Sequence, residues 1–332
     1  MSRTPSSLAA LFGLVLAACG GGGGDPGGRA PVPAPPPPPV TDAQRIAAAT
    51  ATAQSNALCT AVRPFYWEVG NKGSAMASGS VGGTTFTATT AMPYASSSKW
   101  IYGAYAVQRA NGAPSATDIR FLTFRSGYTG MNPLSCGVAA TVDACLLLGT
   151  NGAYNAVDDG RFSYNGGHMQ RHAHDLGFGG FTNADLTAEV ASKIGSFGFA
   201  YTEPQPAGGL SGTPNQYAAF LRTMLSGTLA LRDQLGSNAV CTNPATCPTA
   251  AFTPIPSNES WHYSLGHWVE DDPTVGDGAF SSAGLFGFYP WIDSSKTWYG
   301  VLARHDFAQG AGYDSAQCGR LIRKAWVTGV TQ

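Results

Sequence analysis

Residues 94–108 read YASSSKWIYGAYAVQ, and the reading of the whole chain turns on them. Ile101, Ala104, Tyr105 and Val107 recur at helical spacing behind a run of serines, so a helix is predicted to begin at that run, with serine as its cap. Ser96 and Lys99 form an S-x-x-K pair at its start. Three residues make almost one turn, which puts both side chains on one face and the amine within reach of the hydroxyl. A serine hydroxyl needs such a base to become nucleophilic near neutral pH, and a desolvated lysine supplies one when its pKa falls. The helix N-terminus adds partial positive charge where an oxyanion would form. A solvated, serine-rich cap has the same text, so the pair alone leaves both readings open.

On either side of this helix the text changes period. Residues 42–62 are alanine-rich and lack Gly and Pro, which predicts a helix. Residues 64–90 are aromatic and β-branched between Gly-rich turns and predict a strand pair. Thr182 and Asp185 have capping-box spacing ahead of Leu186, Val190 and Ile194; Thr213-Pro214 opens a further helix that ends at Gly227. HYSLGHWVE (262–270), AFSSAGLFGFYPWID (279–293) and TWYGVLARHD (297–306) are strand-like, the last two joined through Ser294-Ser295-Lys296, and 314–330 predict a closing helix. Short turns between adjacent strands imply an antiparallel sheet. The expected class is α/β: an antiparallel sheet flanked by N- and C-terminal helices, with an inserted, mainly helical lobe at about 110–230.

The first 18 residues place one Arg before a short apolar run, the order of a bacterial export signal. Leu16-Ala17-Ala18-Cys19 resembles a lipobox, which would make Cys19 a lipidated N-terminus. Residues 20–40 run from Gly-rich to Pro-rich and suit a tether over 19–40, leaving 41–332 as the folded part. The expected location is the bacterial envelope, lipid-anchored, with Gly20 after Cys19 favouring the outer membrane. Net charge is −1 and charged residues are 12% of the chain, so no basic stripe points to nucleic acid. Six cysteines remain beyond Cys19, and in an oxidising compartment the simplest pairing is Cys136 with Cys145, Cys241 with Cys247 and Cys59 with Cys318. His168, His172 and His174 form H-x-x-x-H-x-H, but one helix does not easily aim His174 at an ion shared by the other two; no metal site is assigned.

Five stretches in order resemble the serine beta-lactamase-like superfamily, in its esterase-like, class C-related branch. They are YASSSKWIYGAYAVQ (94–108), ATDIRFLTFRSGYTGM (116–131), DDGRFSYNGGHM (158–169), AGGLSGTPNQYAAFLRTMLSG (207–227), and the paired stretches HYSLGHWVE and FSSAGLFGFYPWID. The resemblance implies that Tyr164 shares proton transfer with Lys99, with a phenol pKa lowered by the neighbouring ammonium. It implies an oxyanion hole from the amides of Ser96 and Leu285, and substrate contacts at Asn165, Ser282 and Gly284. The chain departs from the family pattern at Arg125, at Gly166, where Asn165 stands in by a small shift, and at Ser282, where a cation is usual. The implied function is a serine hydrolase cleaving an ester or amide through an acyl-enzyme, esterase-like because Ser282 offers only a hydroxyl. Alternatives are a beta-lactamase or D-amino-acid peptidase, or a non-catalytic envelope binding lipoprotein. No cofactor is implied; the expected partners are a small acyl or peptide substrate and a membrane held through the lipid.

Overall fold

The computed structural model describes residues 39–132 and 134–332. The expected export signal, the lipidated Cys19 and nearly all of the tether lie outside the described residues. Thr41 caps the first helix, Asp42–Ser55, through a capping box with Gln44. The single helix predicted over 42–62 divides at Asn56, whose extended backbone ends one helix while its side chain accepts from Leu58 N to open a second, Ala57–Ala61. Asparagine competes with the helical ladder in this way because its short amide reaches its own neighbouring backbone.

Eight strands form one antiparallel sheet in the spatial order Ala75–Val81, Phe65–Asn71, Trp298–Ala303, Tyr289–Ile292, Ala279–Ser281, Trp268–Glu270, His262–Tyr263, Val240–Cys241. The two long strand-like stretches of the final third each fold as a hairpin. Ser264–His267 turns the first, with Gly266 at φ +82°, and residues 282–288 turn the second. Residues Phe65 to Gly70 are buried without alternation, so this part of the sheet is covered on both faces. Tyr289 and Trp291 face the C-terminal helix Ala311–Thr328, whose Arg323 lies over Trp291 and donates to Tyr289 Oη at 2.7 Å. Tyr299 faces the other way and accepts from Arg222 of the helix Pro214–Leu225 at 2.8 Å. Arg323 also donates to Glu270 and Asp277 at 2.8 and 2.7 Å, so the charges buried under the terminal helix are paired.

Disulfides join Cys59 to Cys318, Cys136 to Cys145 and Cys241 to Cys247, the same three pairs as the neighbour pairing. The first ties the N-terminal helical segment to the C-terminal helix. The lobe between the two halves of the sheet carries helices Ala116–Leu122, Val142–Leu146, Gly167–Ala173 and Asn183–Ile194, but also short strand pairs that the sequence did not signal. One of these pairs Phe162–Ser163 with Ala250–Phe252 and continues as a bond from Tyr164 N to Phe252 O.

The helix Ser98–Arg109 lies between sheet and lobe and is buried on every side from Ser98 to Val107. Gly103 sets its depth. A Cβ there would sit 2.3 Å from Leu265 O, and one on Gly266 would sit 2.5 Å from Lys99 O, so the hairpin turn and the helix touch backbone to backbone.

Candidate active site

Ser96 does not lie within the helix but in the single 3-10 turn Ala95–Ser97 ahead of it, entered through Ala95 in the left-handed region at φ 47°. A non-glycine residue there costs on the order of 1 kcal/mol, held in place by what surrounds it. The serines around Ser96 are not caps, as the sequence suggested, but struts. Ser97 Oγ donates to Ser282 O and Phe288 O at 2.5 and 3.1 Å, and Ser98 Oγ accepts from Leu210 N at 3.2 Å. The backbone of the turn is held as well. Ser97 O accepts from Tyr217 Oη at 2.8 Å, Ser96 O from Ser282 Oγ at 3.0 Å, and Tyr94 N donates to Leu210 O at 2.9 Å.

Lys99 Nζ lies 2.9 Å from Ser96 Oγ and 2.9 Å from Ala207 O. Its side chain is buried and no carboxylate pairs with it among the described residues; burial pulls its pKa down to about 7. A neutral amine in this position donates to the Ala207 carbonyl and keeps its lone pair for the serine proton. Tyr164 lies beside the pair, its ring centroid 5.0 Å from Lys99 Nζ and its hydroxyl toward Ser96. The phenol pKa is not lowered as expected. Burial raises it to about 12 against the smaller, opposing influence of its polar contacts with Ser96 and Trp268. The expectation assumed a full ammonium beside the phenol, whereas Lys99, with a pKa of about 7, is only about half protonated at neutral pH, and burial of the phenol dominates.

Ser96, Lys99, Tyr164, Asn165 and Leu285 line one cavity of about 370 Å³. Leu285 stands in the turn closed by Gly284 N to Phe288 O at 2.7 Å, and its own amide meets no protein acceptor among the described residues. Asn165 lines the wall, but its amide already holds backbone: Oδ1 accepts from Met131 N and Gly167 N at 3.2 and 2.8 Å, and Nδ2 donates to Met131 O at 3.1 Å. That leaves one N–H of Nδ2 for a substrate.

Two expected contacts fall elsewhere. Ser282 is fully buried outside the cavity lining, its hydroxyl directed at Ser96 O rather than at a substrate. Gly284 is also absent from the lining; a Cβ there would sit 2.3 Å from Tyr94 O, so its glycine serves the approach of the strand to the turn that carries Ser96. Both residues position Ser96. Arg125 spends its Nε on Thr123 Oγ1 at 3.1 Å.

The three histidines turn to three separate partners. His168 is buried against Phe124, donates from Nε2 to Ser163 O at 2.9 Å and accepts from Ser126 Oγ at 2.6 Å; burial pulls its pKa to about 3, so the ring is neutral. His172 bridges Tyr102 and Asp118 at 3.0 and 2.9 Å, and His174 meets Asp143 at 2.6 Å. The sequence reading missed two parts of the cavity. Ala207 O, which fixes Lys99, precedes the Gly208-Gly209-Leu210 loop, and Glu203 lines the wall; behind the lining, the buried Trp268 stacks on Tyr164 with centroids 5.0 Å apart. The loop motif was the only available signal for Ala207, and nothing in the sequence marked Glu203.

No family model and no curated protein matches the chain. Solved structures do. D-amino acid amidase from Ochrobactrum anthropi SV3, complexed with L-phenylalanine, superposes with a TM-score of 0.60 at 12% identity, over 84% of this chain and 98% of that one. A penicillin binding protein from Bacillus halodurans gives 0.57 at 12% over 78% and 97%. A beta-lactamase from Mycobacterium bovis gives 0.54 at 12% over 79% and 95%. The chain therefore has the beta-lactamase-like fold expected from its motifs.

Proposed function

We propose that the protein is a serine hydrolase that cleaves an ester or amide through an acyl-enzyme on Ser96. The observation that carries this reading is the 2.9 Å contact between Ser96 Oγ and a buried Lys99 whose pKa lies at about 7, on the wall of a cavity large enough for a small acyl compound. In the reading, Ser96 Oγ bonds to the carbonyl carbon as its proton passes to Lys99 Nζ. The oxygen that gains the electron pair faces the amides of Ser96 and Leu285. Collapse breaks the bond to the leaving group, which takes the proton from Lys99 by way of the Tyr164 hydroxyl. Water then loses a proton to Lys99, its oxygen bonds to the acyl carbon, and Ser96 leaves with that proton, releasing the acid.

An esterase or amidase is favoured over a beta-lactamase by the charges around the cavity. Beta-lactams carry a carboxylate. Among the described residues Lys99 is the one cationic side chain in the lining and is committed to Ser96 and Ala207, while Glu203 adds a carboxylate to the same lining. The test is p-nitrophenyl butyrate hydrolysis by residues 41–332 beside the Ser96→Ala variant. Turnover lost in the variant is the expected result. Equal rates in both, with no mass adduct from a penicillin probe, would replace catalysis with a binding role. Export and lipidation at Cys19 complete the proposal, resting on the lipobox-like LAAC and the tether that follows; radiolabelled palmitate should enter the full chain and not its Cys19→Ala variant.

A further inference from the structure

Glu203 is the one acidic side chain in the lining of the catalytic cavity. It is half-buried, and its carboxylate makes no hydrogen bond or ion pair among the described residues, where Glu68, Glu259 and Glu270 are each paired with arginine or tyrosine. Partial burial raises its pKa, a desolvation penalty that an adjacent cation would relieve. The carboxylate lies beside the disulfide-bridged loop, with Oε1 3.6 Å from where a Cβ of Gly137 would stand. The lining also offers apolar surface from Met131, Leu134, Phe252, Pro254 and Phe286, beside the polar side chains of Thr202, Asn165 and Tyr164.

No other side chain of the lining bonds this carboxylate among the described residues. Lys99 is engaged with Ser96 and Ala207, and in its working state it is neutral. An unpaired, partly desolvated carboxylate in a cavity that also offers apolar surface is the complement of a cationic amine carried on an apolar body. The same charge rejects carboxylate-bearing compounds, so it selects in both directions.

We infer that Glu203 is a specificity-determining residue that binds a protonated or quaternary amine of the substrate, so that the preferred esters or amides are cationic. The inference rests on the hydrolase reading for its substrate class but not for the binding itself. An amine can enter on the acyl side or on the leaving group, and two substrate pairs separate these cases. The acyl side is probed with 4-aminobutyryl p-nitroanilide against its N-acetyl form, and the leaving group with butyrylcholine against its neutral isostere 3,3-dimethylbutyl butyrate.

In one of the two pairs, the native protein should prefer the cationic member by roughly tenfold or more in kcat/KM, and Glu203→Gln, which keeps shape and removes charge, should collapse that ratio toward one. The same compounds titrated into Ser96→Ala, with and without Glu203→Gln, read the Kd ratio without turnover. If no compound is hydrolysed yet the Kd ratio depends on Glu203, the cation site stands and the hydrolase reading falls. If neither pair shows a preference in turnover or binding, or the preference survives Glu203→Gln, the inference is overturned.

Discussion

A lysine held neutral inside a protein carries two signatures at the level of the single residue. The first is kinetic. With Lys99 as base and a pKa of about 7, kcat/KM should rise about tenfold per pH unit below that value and level off above it. Tyr164, raised to about 12, keeps its proton throughout and should add no second limb below about pH 10. A stopped-assay profile from pH 5 to 10 reads both. The second signature is thermodynamic. Between about 7 and the ordinary value of 10.5, the unfolded chain binds a proton at Lys99 that the native chain does not, so stability rises with pH across that window and is lowest below it. Lys99→Met should therefore abolish turnover yet raise stability by a few kcal/mol at neutral pH. Thermal unfolding of the two proteins checks this, the gap between them closing as pH climbs toward 10.

At the level of the element, the turn that carries Ser96 is a short 3-10 segment with too few internal bonds to hold its own shape, suspended from its neighbours by side-chain hydroxyls. Ser97 is the principal strut, bonded to two carbonyls on either side of the turn 282–288. Ser97→Ala should cost about 1–3 kcal/mol, the loss expected when buried acceptors are left unmade, and should lower kcat more than it raises KM. Denaturant unfolding and steady-state kinetics measure the two effects. The element scale also shows where sequence legibility ends. The helices opening at Thr182 and Thr213 were readable because their capping signals are local. The serine run was misread for the same reason, since a cap and a strut have identical text and differ only in what long-range folding brings opposite. Ser282 and Gly284 were assigned to substrate by position in a motif; their actual partners, Ser96 O and Tyr94 O, lie nearly two hundred residues away in sequence. Glu203 was invisible because its meaning lies in the absence of a partner, which only the assembled cavity reveals.

For the molecule as a whole, the sheet is assembled from the two ends of the chain. Strand Phe65–Asn71 pairs with Trp298–Ala303, and Arg45 of the first helix donates to Trp326 O at 2.7 Å in the last. This much of the architecture was legible, because terminal helices and strand-like text broken by short turns at both ends leave few other ways to cover one sheet. Pairings of such long range are costly in chain entropy. The Cys59–Cys318 bridge, with a sequence separation of 259, removes part of that cost from the unfolded state. Replacing both cysteines with serine should lower stability by about 2–5 kcal/mol, read as a fall in Tm under non-reducing conditions, while Cys241→Ser with Cys247→Ser should matter less because the loop closed is short.

The same bridge makes residues 59–318 a covalent ring that contains every wall of the catalytic cavity. A protease that cuts once within that ring opens it without releasing a fragment. One exposed loop within the ring carries Leu134 and Val138, 71% and 87% exposed, and the stretch from Cys136 to Cys145 is spanned by a second, smaller ring. A nicked molecule would thus keep Ser96, Lys99 and Tyr164 on one covalent body.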